Sequence, residues 1–145
     1  MKKIKVKYFT DFTEEQKIIK IKKGDWIDLR CACDIDLIKG VYYEIPLGVG
    51  IKMPKNYEAI VAPRSSLYKK YGIISANSLG VIDNSYCGDN DQWHFLCIAT
   101  KNTTVHKGDR ICQFRIQKSM GDIKIKEVKK LKNKNRGGIG STGVK

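Results

Sequence analysis

Tyr57-Glu58-Ala59-Ile60-Val61-Ala62-Pro63-Arg64-Ser65-Ser66-Leu67-Tyr68-Lys69-Lys70-Tyr71 reads in two halves. Tyr57 to Ala62 is a short apolar run with β-branched and aromatic members, the composition of a strand. Ser65 to Tyr71 reads as a short helix, with Ser65 able to cap its start. No other helix signal occurs along the chain. Outward from this stretch the strand pattern repeats at Ile4 to Tyr8, Trp26 to Ala32, Tyr42 to Ile45, Val49 to Met53, Trp93 to Ala99, Ile111 to Gln117 and Ile123 to Val128. Turn clusters such as Lys22-Lys23-Gly24-Asp25, Pro54-Lys55-Asn56 and His106-Lys107-Gly108-Asp109 separate the runs. The spacing predicts an all-β chain, a β-sandwich or barrel of the jelly-roll kind with one short helix. After Val128 the apolar pattern stops, so residues 1–128 are expected to form the folded domain and residues 129–145 a flexible C-terminal arm.

Composition narrows the classes. A chain of 145 residues fits one modest core. No run of 18 apolar residues occurs, and Met1-Lys2-Lys3-Ile4-Lys5-Val6-Lys7 alternates charge with apolar residues where a signal peptide would have an apolar core. A soluble cytoplasmic protein without membrane association is expected. The five cysteines are odd in number and lack paired metal-site spacing, which favours reduced thiols over a metal cluster. The net charge of +13 attracts polyanions, but its densest part, Lys124 to Lys134, has no interleaved aromatic residue on which bases could stack. A solvated lysine-rich surface that assists capture of a phosphorylated small molecule is preferred to nucleic-acid binding.

Gly80-Val81-Ile82-Asp83-Asn84-Ser85-Tyr86-Cys87-Gly88-Asp89 carries the clearest chemistry. A carboxylate and a ring three residues apart in a glycine-bounded turn can direct a water and limit access to part of a sugar. Asp-Asn-Ser is also favoured β-turn composition, so the bland reading stands beside this one. Four further blocks accompany it in order: Asp28-Leu29-Arg30, Pro63-Arg64-Ser65-Ser66-Leu67, Gly108-Asp109-Arg110-Ile111-Cys112-Gln113 and Arg136-Gly137-Gly138-Ile139-Gly140-Ser141-Thr142-Gly143. Together the five blocks, from about residue 20 to the C-terminus, resemble the pattern of the homotrimeric dUTPases, closely the short form of bacteria and prophages.

That resemblance implies a distorted jelly roll and magnesium-assisted hydrolysis of dUTP to dUMP and pyrophosphate, which keeps uracil out of DNA and supplies dUMP for thymidylate synthesis. It implies active sites shared among three subunits. By the resemblance, Asp83 orients and deprotonates the attacking water, and Tyr86 lies under the deoxyribose. Asn77, with main-chain groups of Gly80 and Ile82, occupies the hairpin that reads uracil. Arg64, Ser65, Ser66 and Gln113 hold phosphates, and the tail block, with Arg136, Gly138, Ile139, Ser141 and Thr142, wraps them. Asp28 supports Mg2+ through its water shell. Asp36-Leu37 competes for this role, but only Asp28 stands at the family's distance from the turn Pro46-Leu47-Gly48. Asp109 and Arg110 are expected to form a structural turn and ion pair.

Three departures bear on function. Trp26 stands where the family usually has glycine, Cys87 where it often has arginine, and Ile139 where a phenylalanine usually stacks over uracil. Isoleucine has no π-face. Trp93, His94 and Phe95, which follow the unusual Gly88-Asp89-Asn90-Asp91-Gln92 stretch, are candidates for the missing lid, Trp93 first. The competing expectation makes all three strand residues, with Trp93 and Phe95 facing the core. Two other functions remain open: dCTP deamination, which shares the fold but needs a glutamate acting on water, and a binding module that directs its charge at nucleic acid or a regulatory protein.

Overall fold

The computed structural model describes residues 1–144. Among these, eleven strands carry the chain: β1 Lys5–Tyr8, β2 Ile27–Arg30, β3 Ile35–Leu37, β4 Tyr42–Pro46, β5 Val49–Lys52, β6 Tyr57–Pro63, β7 Ile73–Ser75, β8 Gly80–Ile82, β9 His94–Ala99, β10 Thr103–Val105 and β11 Arg110–Lys118. One α-helix, α1 Leu67–Tyr71, and a 3-10 turn at Glu14–Gln16 complete the described elements. All strand pairs are antiparallel, in a four-stranded sheet β2-β11-β6-β8, a three-stranded sheet β4-β9-β7 and the pairs β1-β5 and β10-β3. This is the expected all-β jelly-roll arrangement.

Strand alternation builds the core. In β9 the residues Phe95, Cys97 and Ala99 turn inward between half-buried neighbours, as period-2 patterning requires. Trp93, just before β9, meets Phe114 of β11 edge to face, with ring centroids 5.2 Å apart and an interplanar angle of 81°. Leu29, Ile45, Val49, Val61, Ile73 and Ile111 pack into the same cluster. Gly72 ends α1 at φ +66°, a left-handed position that favours glycine, and its N–H donates to the Tyr68 carbonyl at 2.7 Å.

Two expectations about elements are corrected. Residues 123–128 form no strand: Ile123, Ile125 and Val128 lie exposed, because no other described strand offers its edge to this segment. The residue before α1 is Ser66, whose side chain makes no capping bond, and Ser65 does not cap the helix.

Candidate functional site

The four-stranded sheet lays one group of predicted residues in a row. Gln113 on β11 opposes Asp28 on β2 on one side and Ala62 on β6 on the other, and β6 ends at Pro63, next to Arg64. Directly opposed residues project to the same face, so Asp28, Arg64, Ser65 and Gln113 line one cleft of about 330 Å³, joined by Trp26 and Asp25. Asp28 accepts from two guanidinium groups: Arg64 Nε lies 3.3 Å from Oδ1 and Arg110 Nη1 lies 3.2 Å from Oδ2. Arg30 sits close by, its Nη1 donating to the Gly108 carbonyl at 2.7 Å, and burial, reinforced by Arg110, holds its pKa below the ordinary value. Ser65 and Ser66 are exposed, and their hydroxyls form no hydrogen bond among the described residues. The cleft thus offers cationic and hydroxyl donors, the groups an anionic phosphate requires.

Arg110 departs from expectation. It pairs with Asp28 across the sheet and not with its neighbour Asp109. Asp109 instead accepts from the Tyr71 hydroxyl and the His106 N–H, each at 2.9 Å. Burial and that bond to Asp109 push the Tyr71 hydroxyl up to about 12. The Gly-Asp-Arg segment forms a turn as expected, but its arginine reaches across the sheet to Asp28. Residue spacing alone could not reveal this, since Asp28 and Arg110 are distant in sequence and meet only through strand register.

A second group gathers at the other end of β6. Asp83 follows β8 directly, and its exposed carboxylate is fixed through one oxygen. Oδ1 accepts from the Ser85 N–H at 2.8 Å and from the Ser85 hydroxyl at 2.6 Å. These bonds, the hydroxyl's first, hold the Asp83 pKa below the ordinary carboxylate value. Oδ2 has no hydrogen-bond partner among the described residues. The Tyr86 N–H closes the turn on the Asp83 carbonyl at 3.1 Å, and Asn84 Nδ2 anchors it by donating to the Pro54 and Tyr57 carbonyls at 2.8 and 2.7 Å. The β-turn expected from composition forms, and it leaves the carboxylate exposed.

Asp83 and Tyr86 share a cleft of about 380 Å³ with Ile82, Val81, Gln92 and His94. The Gln92 carbonyl anchors two rings at once: it accepts from the Tyr86 hydroxyl at 2.9 Å, and His94 Nδ1 lies 3.0 Å away. A smaller recess of about 160 Å³ opens beside it, lined by Asn77, Gly80, Ile82, Ser75, His94 and Phe95. The chain between β7 and β8 makes a tight turn, with the Leu79 N–H on the Asn77 carbonyl at 2.6 Å and Ser78 at φ +60°. It is not the two-stranded hairpin anticipated, because β7 pairs with β9 while β8 pairs with β6. Glu44, which lines the larger cleft and accepts from the Tyr42 hydroxyl at 3.0 Å, lies outside every sequence block. It arrives through its pairing with Leu96 across β4 and β9, a register with no local signal.

Among the lid candidates the geometry separates the three. Trp93 is 1% exposed and Phe95 3% exposed, both committed to the core. An indole packed on Phe114 cannot swing over a ligand without opening that core. His94 alternates outward between them and lines both the cleft and the recess.

The tail block stands apart from both clefts. Residues 136–144 are exposed and fold into two successive turns, Ser141 N–H to Gly138 carbonyl at 2.8 Å and Gly143 N–H to Gly140 carbonyl at 3.1 Å. Gly137 sits at φ +92°, and a Cβ there would meet Ser141 Cβ at 2.9 Å. Arg136, Gly138, Ile139, Ser141 and Thr142 line neither cleft of their own chain among the described residues.

A family model described as dUTPase matches residues 26–143. The SPbeta prophage-derived deoxyuridine 5'-triphosphate nucleotidohydrolase YosS of Bacillus subtilis (strain 168) is 51% identical over 142 residues, covering 98% of this chain and 99% of that one. Among solved structures, the dUTPase from Streptococcus mutans matches with a TM-score of 0.72 at 22% identity, over 82% of this chain and 98% of its own. A mutant dUTPase from phage phi11 of S. aureus, whose structure describes coordination of a structural Mg(II) ion, matches with a TM-score of 0.75 at 14% identity, over 89% of this chain and 98% of its own.

Proposed function

The chain belongs to the dUTPase family, and from that premise we propose that it hydrolyses dUTP to dUMP and pyrophosphate by attack of a water, directed by Asp83, on the α-phosphorus. One observation carries the reading: Asp83 lines the same cleft as Tyr86, with one carboxylate oxygen fixed by Ser85 and the other without a hydrogen-bond partner among the described residues. A carboxylate held in the ionised form and aimed by its turn acts through placement, accepting a proton from a water in the correct position. Tyr86, fixed through its hydroxyl, offers its ring to the deoxyribose, where an added 2′-hydroxyl would collide.

The recess beside it suits the base. Asn77 and main-chain groups of Gly80 and Ile82 supply donors and acceptors to uracil's edge, and the narrow space disfavours a 5-methyl group. His94 covers the base in place of the phenylalanine that Ile139 replaces, its ring oriented by the Gln92 carbonyl. Arg64, Ser65, Ser66 and Gln113 bind phosphate oxygens, and the tail block closes over them with Arg136 and the curled backbone around Gly138, Ile139, Ser141 and Thr142.

A magnesium ion fits these residues in one manner only. No group of three or more ligating side chains occurs among the described residues, and both Asp28 oxygens already accept from arginines. A carboxylate retains lone pairs beyond two such bonds, so Asp28 can hold the ion's water shell while the triphosphate supplies the direct ligands. When bound, the ion would neutralise phosphate charge.

Distances along β6 support a homotrimer with shared sites. Asp83 lies beside the Ala59 end of the strand and Arg64 beyond the Pro63 end, roughly 15–20 Å apart at about 3.3 Å per residue. One chain cannot bring its own Asp83 and Arg64 to adjacent phosphates. Five unpaired cysteines suit a reducing compartment such as the cytoplasm, and no helix among the described residues is long and apolar enough to cross a membrane.

The experiment is Asp83→Asn with dUTP as substrate. Turnover is expected to fall by orders of magnitude with affinity for a non-hydrolysable dUTP analogue retained. Undiminished turnover would refute the role of Asp83. Ammonia released from dCTP by the unaltered protein would assign deamination instead.

A further inference from the structure

The segment between the last strand and the tail block carries a long run of closely spaced cations. From Asp122 to Arg136 it holds Lys124, Lys126, Lys129, Lys130, Lys132, Lys134 and Arg136 against two carboxylates, Asp122 and Glu127. Every one of these residues is exposed. Among the described residues, none of these cations takes part in an ion pair or hydrogen bond, and the two carboxylates of the segment face seven cations. The arm's charge is therefore uncompensated.

The segment leads from the Asp83 end of β6 to the tail block. The strand β11 delivers the chain at Lys118, which opposes Tyr57 at the Asp83 end of β6. The far end of the arm is the glycine-rich block proposed to wrap phosphates. Fully extended, residues 119–136 span about 60 Å, long enough for the lysines to lie along the approach to a neighbouring subunit's cleft. A row of unpaired cations there creates a positive potential, and such fields raise encounter rates with polyanions while salt weakens them.

We propose that the lysine segment Lys124–Lys134 is an electrostatic funnel that draws the nucleoside triphosphate into the site. The idea rests on the dUTP reading above. It assigns the segment to encounter with substrate: the lysines speed association, and the chemical step proceeds without them. The clustering of the charge on a connector without aromatic residues favours a small polyanion over a nucleic-acid strand, which would need stacking platforms.

The test compares the full-length protein with K124Q/K126Q/K129Q/K130Q, which leaves the tail block intact, and with the charge-matched variant K2Q/K3Q/K5Q/K39Q. Each is assayed with dUTP and Mg2+ from about 50 to 500 mM salt. For the unaltered protein kcat/KM should fall about tenfold or more across the range, with kcat nearly constant. The arm variant should lose most of that slope, being several-fold lower than the unaltered protein at low salt and equal to it at high salt. The matched variant should keep the original slope. Identical slopes for the arm variant and the unaltered protein would overturn the proposal, as would equal flattening in both variants. Tight salt-sensitive binding of single-stranded DNA, lost in the arm variant while kcat/KM is unchanged, would reassign the charge to nucleic acid. If the unaltered protein did not hydrolyse dUTP at all, the activity itself would fail, an outcome distinct from any change in slope.

Discussion

At the scale of single residues, the Asp83 carboxylate is defined by Ser85 more than by any other contact. Two donors on Oδ1 favour the charged form and hold the pKa below the ordinary carboxylate value. The sign follows directly. A depressed carboxylate is ionised above its folded pKa and protonates only when pH falls through that value, so the base form that the proposed role needs is present throughout the neutral range. Ser85→Ala removes the larger of the two bonds, and the Asp83 titration seen by carbon NMR should move up toward that of an ordinary exposed carboxylate. Neutral-pH turnover should also fall, because the carboxylate loses its fixed orientation while remaining charged. A titration identical to that of the unaltered protein would show that the serine hydroxyl does not set the carboxylate's pKa.

At the scale of elements, the strand β9 shows how alternation assigns roles that composition leaves open. Trp93, His94 and Phe95 are all rings, and composition alone makes each a candidate cover for a base. One-residue alternation sends the first and third to the core and the second to the cleft. Trp93→Ala should cost about 3–5 kcal/mol of stability, read by chemical denaturation, through the cavity left against Phe114. Trp93→Phe should cost far less, since it also removes an indole N–H that has no partner among the described residues. His94→Ala should leave stability within about 0.5 kcal/mol yet weaken binding of a non-hydrolysable dUTP analogue by about 1–3 kcal/mol, the scale of base stacking. If calorimetry found the His94 variant binding as well as the unaltered protein, no ring of this strand would be the lid. The same logic explains what the chain disclosed in advance. The runs of β1, β2, β4, β5, β6, β9 and β11 are long enough to carry a periodic signal, and all were legible. The strands β3, β7, β8 and β10 are three residues each, too short for a pattern, and become strands only because a partner edge lies beside them. The apolar residues of 123–128 had the pattern without the partner. In the site, residues within a block could be named from sequence, whereas Arg110 on Asp28 and Glu44 beside Asp83 depend on register between distant strands.

At the scale of the whole molecule, the separation of Asp83 from Arg64 makes the proposed chemistry depend on the oligomer. Both clefts are present on one chain, but they lie at opposite ends of β6, so the proposed site takes one cleft from each of two neighbours. The consequence is a complementation experiment. Asp83→Asn and Arg64→Ala should each be nearly inactive alone. Unfolded together in equal amounts and refolded, they form mixed trimers in which some sites receive an intact Asp83 from one subunit and an intact Arg64 from another. Random assortment makes about a quarter of the sites whole, so roughly a quarter of the original turnover should return, and none when the two variants are refolded separately and then mixed without exchange. Were each site built within a single chain, every site in the mixture would keep one defect and the refolded mixture would stay as inactive as its parts. Recovery of activity would therefore measure directly that the water-directing carboxylate and the phosphate-binding arginine reach the same substrate from different subunits.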